Sequence, residues 1–88
     1  MEIEALRSEI DRIDSDMVRL LNRRMEIAAD IARYKKEHNL PIADPHRERE
    51  VLAKVAEAAG EQMEDCAVAL FNLIFEFSRA YQSSLIST

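Results

Sequence analysis

A long apolar seam without glycine or proline dominates the first forty residues of the chain. Its members recur at alternating steps of three and four, which places side chains on one face of an α-helix; they are Ile10, Ile13, Met17, Leu20, Ile27, Ile31 and Tyr34. With Ile3 and Leu6 in front, the pattern predicts a first helix that ends near Glu37 and is about 50 Å long. A chain of 88 residues is too small to cover such a helix, so we expect a second copy to cover part of it.

Arg24 occupies the seam position between Leu20 and Ile27. Burying an unpaired guanidinium is costly and arginine does not lose its proton, so this position must face a carboxylate, water or an anionic ligand. Lys35 lies three turns further on, within about 20° of the Arg24 direction and about 16 Å along the axis. Two cations on one face can clamp a small anion. The structural alternatives are that Arg24 fixes the register or oligomeric state of paired helices, and that Lys35 lies along the apolar surface with its ammonium in water.

The few helix-breaking residues divide the chain into three helices. One glycine and two prolines in 88 residues favour an all-α fold in a single domain, residues 1–88. Pro41 forces the segment around it to be extended, and Asp44 with Pro45 then forms the expected start of a second helix. That helix should stop near Gly60. An apolar stripe predicts a third helix from Met63 or Glu64 to Leu85.

Polar residues interrupt the inward faces of the second and third helices. Glu48 shares a face with Val51 and Val55, and Ser78 and Gln82 lie one turn apart on the stripe of the third helix. Taken singly, Glu48 fits an ordinary helix carboxylate, and the other two fit core polar groups that bond to the backbone. Their position on inward faces, together with the two cations of the first helix, favours a shared anion-binding cavity.

Composition and charge exclude several classes of protein. A net charge of -5 without any basic block argues against nucleic-acid binding, and no apolar run is long enough for a membrane span or a signal peptide. Cys66 is the only cysteine, which excludes an intrachain disulfide, fits the cytoplasm and predicts a buried apolar role. His38 and His46 have no partners at metal-ligand spacing, so no metal or cofactor is expected.

Five stretches resemble the all-helical chorismate mutase family, in order and over essentially the whole chain. They are residues 6–14 (LRSEIDRID), 20–24 (LLNRR), 31–35 (IARYK), 41–50 (PIADPHRERE) and 74–78 (IFEFS), the last leading to Gln82. The resemblance implies an intertwined homodimer of three-helix protomers that converts chorismate to prephenate in aromatic amino-acid biosynthesis. It also implies that each active site belongs mostly to one chain and is completed by the other.

The resemblance assigns a role to each candidate residue. Arg24 and the partner subunit's Arg7 would bind the two substrate carboxylates. Helix geometry agrees, because Arg7 lies about 25 Å from Arg24 along one straight helix. Lys35 and Gln82 would reach the ether oxygen of the bond that breaks. The remaining contacts would come from Glu48 and Asp44 at the ring hydroxyl, Ser78 at the ring carboxylate, and Arg47 as a support behind them.

Two alternatives remain at this point. An isochorismate pyruvate lyase of the same fold would also need arginine clamps and a lysine, although Asp44 and Glu48 favour the hydroxyl of chorismate. A non-catalytic helical dimer or regulatory module would keep the fold, although the full set of inward polar residues argues against it. The family also occurs fused to other enzymes, and 88 residues leave no room for a fused partner here.

Overall fold

The computed structural model describes residues 2–87 of the chain. It contains three helices, α1 (Ile3–Glu37), α2 (Pro45–Ala59) and α3 (Glu64–Ile86), and no strand among the described residues. The all-α class is therefore confirmed, and the three helices begin and end close to their predicted positions.

A left-handed turn ends α1. Asn39 has a φ of +55°, its N–H donates to the Lys36 carbonyl at 3.3 Å, and the Leu40 N–H donates to the Lys35 carbonyl at 2.8 Å. These two bonds form the Schellman pattern of helix C-termini. Pro41 then keeps the chain extended. The loop is consequently held beside the last turn of α1, where Lys35 lies.

Helix α2 has the ends that its sequence predicts. The Asp44 carboxylate accepts a hydrogen bond from the Arg47 backbone N–H at 3.1 Å, and Pro45 occupies the first turn. Gly60 follows the helix with a φ of +82°, a conformation that L side chains rarely adopt. The cap fixes where α2 begins and therefore where Glu48, in its first turn, is placed.

Helix α3 packs against both other helices, whereas no Cα atom of α1 lies within 8 Å of a Cα atom of α2 in residues 2–87. Small side chains of α1 face α3 and permit a close approach between the two axes. The buried positions are three alanines of α1, Ala28, Ala29 and Ala32, and three residues of α3, Phe75, Ser78 and Gln82. Two of the six are polar residues of the predicted site, so the contact between these helices surrounds functional groups.

The protomer is one layer of helices. Its extents are 55 × 27 × 14 Å, and a thickness of 14 Å is little more than one helix with its side chains. The radius of gyration is 16.2 Å, against about 12 Å for a compact domain of this length. No helix in the described range has the length and apolar character of a membrane span. A single layer leaves one large face of the bundle without a covering element.

The apolar seam of α1 lies on that uncovered surface. Its seven members, from Ile10 to Tyr34, are 44–57% exposed in the protomer. The face of α1 that packs on α3 is instead the alanine face. The protomer therefore does not cover the seam of its first helix, as the length of that helix predicted.

Candidate active site

A cavity of about 420 Å³ opens where the three helices and the loop after α1 converge. This volume is typical of small-molecule sites. Six of the seven predicted site residues line it: Arg24, Lys35, Asp44, Glu48, Ser78 and Gln82. The walls between these polar groups are apolar and include Ile31, Val51 and Phe75. The packing therefore brings together residues that are up to 58 positions apart in the sequence, from Arg24 to Gln82.

The two cations of α1 are held in different ways. Arg24 is half-buried, and its guanidinium carbon lies 5.7 Å from the centroid of the Phe75 ring, a cation–π distance. Lys35 is also half-buried, and its ammonium donates to the Ile42 carbonyl at 2.8 Å. An ammonium has three N–H donors, so this contact leaves hydrogen-bonding capacity for a ligand. Both charges are directed to the cavity without any carboxylate salt bridge of their own among the described residues.

Ser78 and Gln82 form a buried polar pair one turn apart on α3. The Gln82 amide nitrogen donates to the Ser78 hydroxyl oxygen at 3.0 Å, and the Gln82 carbonyl oxygen has no hydrogen-bond partner within residues 2–87. Leaving such an oxygen unpaired costs about 1–3 kcal/mol. The flipped orientation of the amide is nearly isosteric. In that orientation the Ser78 hydroxyl donates to the Gln82 carbonyl oxygen, which is then no longer unpaired, and the amide N–H groups face a ligand. Gln82 thus has unused hydrogen-bonding capacity at the cavity.

An ion pair joins α2 to α3 at the cavity wall. One terminal nitrogen of Arg79 donates to both carboxylate oxygens of Glu48, at 2.7 and 2.6 Å. Arg79 was not among the predicted site residues, although it lies between Ser78 and Gln82 and lines the same cavity. The sequence signal that points to it is Glu48 itself, because a carboxylate on an inward face needs a cation.

Arg7 lies outside this cavity. It is on the first turns of α1, exposed, and pairs with Glu4 at 3.3 Å. Its absence from the lining is the outcome that helix geometry predicted for a straight α1. If Arg7 contributes to a site, it contributes to the site of another chain.

The other reactive residues do not form a second centre. Within residues 2–87, no three His, Cys, Asp or Glu side chains are grouped so that they could hold a metal ion. His38 Nδ1 lies 2.8 Å from the Tyr34 carbonyl at the end of α1, and His46 is 3.9 Å from Glu50 on the exposed side of α2. Cys66 is exposed in the first turn of α3, so the expectation of a buried apolar role is wrong for the protomer. Two acidic residues, Glu64 and Asp65, precede it in that turn.

The charges of the cavity suit a small dianion. Four cationic side chains (Arg24, Lys35, Arg47 and Arg79) and two carboxylates (Asp44 and Glu48) line it, which gives a formal charge of +2. Fixed cations, one buried amide and one hydroxyl can position and polarise a ligand. They do not include a paired nucleophile and base. Fold and site together define an all-helical domain with a cationic cavity of small-molecule size.

Comparison with known proteins places this domain in a family. The model of the family "Chorismate mutase type II" matches residues 6–83, so the chain belongs to the type II chorismate mutase family. The chain is 50% identical over 54 residues to a bifunctional chorismate mutase/prephenate dehydratase of Aquifex aeolicus. That match covers 61% of this chain and 15% of the relative, so the chain corresponds to a small part of that protein.

Two further similarities bear on fold and substrate. The structure of chorismate mutase, form II, from Thermus thermophilus superimposes with a TM-score of 0.87 at 34% identity and covers 92% of this chain and 93% of that one. A 4-amino-4-deoxychorismate mutase of Streptomyces venezuelae is 33% identical over 60 residues, which is 68% of this chain and 58% of the relative. Relatives named as mutases of chorismate and of 4-amino-4-deoxychorismate are thus both similar to this chain.

Proposed function

We propose that this chain is a chorismate mutase that converts chorismate to prephenate on the route to phenylalanine and tyrosine. The observation that carries the proposal is the cavity itself, in which Arg24, Lys35 and Gln82 converge from two helices of a chain that belongs to this family. The formal charge of +2 that this chain's residues give the cavity attracts a substrate with two carboxylates. The substrate class and the single cysteine fit a cytoplasmic enzyme.

The reaction is an intramolecular rearrangement in which one C–O bond breaks while a C–C bond forms. It is balanced within one molecule and needs no nucleophile, proton transfer, metal or cofactor. The protein can accelerate such a step by holding the compact conformer, in which the reacting carbons approach each other. Bidentate arginine–carboxylate pairs supply that geometry, and we assign them to Arg24 and to the partner subunit's Arg7.

Stabilisation of the transition state falls to Lys35 and Gln82. Negative charge grows on the ether oxygen as the C–O bond stretches, so an ammonium and an amide N–H bind the transition state more tightly than the substrate. The unused donors of Lys35 support this assignment, and so does the Gln82 amide, which presents N–H donors where its unpaired Oε1 now lies once the amide is flipped. Two such donors contribute about 3 kcal/mol each, against roughly 8 kcal/mol for a 10⁶-fold acceleration.

The remaining residues orient the ring. We assign the ring hydroxyl to Glu48 and to the Asp44 region, and the ring carboxylate to Ser78. Glu48 and Asp44 lie at the start of α2, and its cap and the Arg79 ion pair restrict their positions. Arg47 lines the same end of the cavity and supports this group.

The proposed enzyme is an intertwined homodimer with Arg7 delivered across the interface. A protomer one helix thick, with an exposed seam from Ile10 to Tyr34 on the 35-residue α1, needs a second layer to bury its apolar residues. A two-fold pair of long α1 helices supplies that layer and brings the exposed Arg7 of each to the other chain. Such an arrangement gives two equivalent sites.

A mixing experiment tests the shared site. Arg7→Ala and Arg24→Ala chains, each inactive alone, are co-refolded in equal amounts. Half of the dimers are then heterodimers with one complete site of two, so activity should return to about a quarter of the wild-type value. Heterodimers that are confirmed by mass spectrometry and remain inactive would exclude the shared site.

The function itself is tested with the purified chain alone. The loss of chorismate is followed by its ultraviolet absorbance without metal or cofactor, and the product is identified by chromatography. Formation of prephenate supports the proposal. A folded dimer that does not consume chorismate would contradict it, and isochorismate would then be tested as the substrate of a lyase.

A further inference from the structure

The Glu48–Arg79 pair differs from every other ion pair in residues 2–87. The other six join side chains within one helix, three or four positions apart, and their partners are at least 50% exposed. Glu48 and Arg79 are 31 positions apart, join α2 to α3, and are 27% and 38% exposed. Exposed pairs on one helix contribute little, whereas a less hydrated pair across two helices holds its charges in place. Arg79 is therefore a fixed feature of the cavity wall.

We propose that Arg79 determines which ring substituent the site accepts. By pairing with Glu48 it offsets the charge of that carboxylate, so the ring end of the cavity prefers a neutral hydroxyl to an ammonium. The inference rests on the proposed function, in which Glu48 accepts a hydrogen bond from the ring substituent. Arg79 acts here as a positioning residue, through Glu48.

Hydrogen bonding alone does not distinguish the two substituents. A carboxylate offers about four acceptor sites, so Glu48 can still accept from a ligand while it binds Arg79. Hydroxyl and ammonium groups both donate. Their difference is the positive charge of the ammonium, which an isolated Glu48 attracts and which the adjacent Arg79 guanidinium repels.

The other cations of the cavity lining act in the same direction, and one further carboxylate opposes them. Lys35, Arg47 and Arg24 line the same cavity, and Asp44 is its only other carboxylate. Removal of Arg79 lowers the formal charge that this chain's residues give the lining from +2 to +1. Among the four cations of the lining, Arg79 is the one whose ion pair with Glu48 places its charge beside the ring substituent.

Two substrates that differ in the ring substituent test whether Arg79 sets the preference for a hydroxyl over an ammonium. Chorismate carries a hydroxyl where 4-amino-4-deoxychorismate, which the Streptomyces relative's name specifies, carries an amino group. The assay is run at about pH 6.5, where an aliphatic amine is protonated, so the amino compound carries an ammonium group. The quantity to be measured is the ratio of kcat/KM for chorismate to kcat/KM for the amino compound.

The first variant is Arg79→Gln, which keeps a hydrogen-bond donor and removes the charge. We expect the ratio to fall about tenfold or more. The interaction between two unit charges a few ångströms apart in a protein site is strong enough to change a binding constant by more than about tenfold. Arg33→Gln is the matched control, since Arg33 also pairs with a carboxylate, Asp30 at 2.6 Å, and lies outside the cavity lining. The control should leave the ratio at the wild-type value.

Two more variants test the sign of the effect. Glu48→Gln leaves the Arg79 charge without its partner, so the ratio should rise even if both activities fall. Arg79→Lys keeps the charge and should keep the preference for the hydroxyl. A purely structural role for the pair would lower both activities by the same factor in every variant.

The outcomes distinguish this inference from the proposed function. If the wild-type chain does not convert chorismate, the proposed function and this inference both fail. If it does, and Arg79→Gln leaves the ratio unchanged, the inference alone is wrong. If a variant turns over too slowly, equilibrium dialysis of chorismate and its amino analogue gives the same ratio from dissociation constants, and circular dichroism verifies that the variant is folded.

Discussion

Replacement of Lys35 by alanine tests the centre of the proposed mechanism. The ammonium of Lys35 is the one cavity cation that a backbone carbonyl, that of Ile42 at 2.8 Å, orients within residues 2–87. Lys35→Ala removes the charge that would stabilise the ether oxygen and also removes this bond to the loop. The two effects are separable, because one concerns the transition state and the other concerns the folded state.

The expected magnitudes follow from these contacts. Removal of one preorganised donor costs about 3 kcal/mol in the transition state, so kcat should fall by about two orders of magnitude. Loss of the Ile42 bond from a half-buried side chain should lower the free energy of unfolding by about 1 kcal/mol. In a domain of this size that change lowers Tm by about 5 °C, which leaves the helices folded at assay temperature.

Steady-state kinetics with chorismate measure the first effect, and circular dichroism during heating measures the second. Lys36→Ala is the matched control, because Lys36 is the exposed neighbour in the same last turn and does not line the cavity. Lys35→Met separates packing from charge, since it keeps most of the side-chain length without the ammonium. It should be as slow as Lys35→Ala while it recovers some stability.

A near wild-type kcat in Lys35→Ala would refute the assigned role. The loop-anchor alternative makes a different prediction, in which KM rises and Tm falls while kcat is retained. Loss of kcat in the Lys36→Ala control would show that the net charge of this turn, and not the position of one ammonium, matters.

Three other changes test the site, the fold and the seam. Gln82→Ala should lower kcat about a hundredfold, and because a carboxamide does not titrate, wild-type activity should not fall steeply between about pH 6 and 8 through this position. Gly60→Ala should lower the free energy of unfolding in urea by about 1–3 kcal/mol, because φ is +82° and ψ is 165° at this position. The loss would come from backbone strain and not from a clash, since nothing lies within 4 Å of the added Cβ. Leu20→Glu, on the exposed seam, should yield inactive monomers in light scattering, whereas Asn22→Glu, off the seam, should remain dimeric. Unchanged stability of Gly60→Ala, or a dimeric Leu20→Glu chain, would contradict the corresponding argument.

The helices could be predicted because their ends are specified locally. Pro41 restricts the residue before it, Asp44 caps α2 through the Arg47 N–H, and Gly60 takes a positive φ. None of these signals depends on how the helices pack. The Schellman turn at Asn39 is equally local, but the sequence signal that α1 must end came from Pro41 alone.

The packing face of α1 could not be predicted in the same way. Apolar periodicity indicates which side chains avoid water in the final assembly, and it does not indicate which chain covers them. Ala28 and Ala32 have a weak apolar signal, yet they allow the close contact with α3 that places Phe75 beside Arg24. The seam produced the stronger signal, and it lies on the exposed surface of the protomer.

Arg79 shows the limit of local reasoning about the site. Ser78 and Gln82 were found because they interrupt an apolar stripe, whereas Arg79 lies at the margin of that stripe, where an arginine is usually solvated. Its function in the cavity wall depends on the angle at which α2 meets α3. That angle is a property of the packing, so the partner of Glu48 became visible only in the folded chain.

Arg24 belongs to both surfaces of α1, and this explains why the site and the proposed dimer depend on each other. Its backbone position continues the exposed seam between Leu20 and Ile27, while its guanidinium reaches the Phe75 ring and lines the cavity. The cavity therefore opens beside the surface that a second α1 would cover. In the proposed dimer, the second chain that buries the seam would also bring a basic residue, the partner subunit's Arg7, toward a cavity whose own charge is already +2. Without a ligand these cations repel one another, whereas a dianion between them attracts each cation and offsets that repulsion. Substrate binding and dimer stability should therefore be thermodynamically linked, each strengthening the other by the same factor.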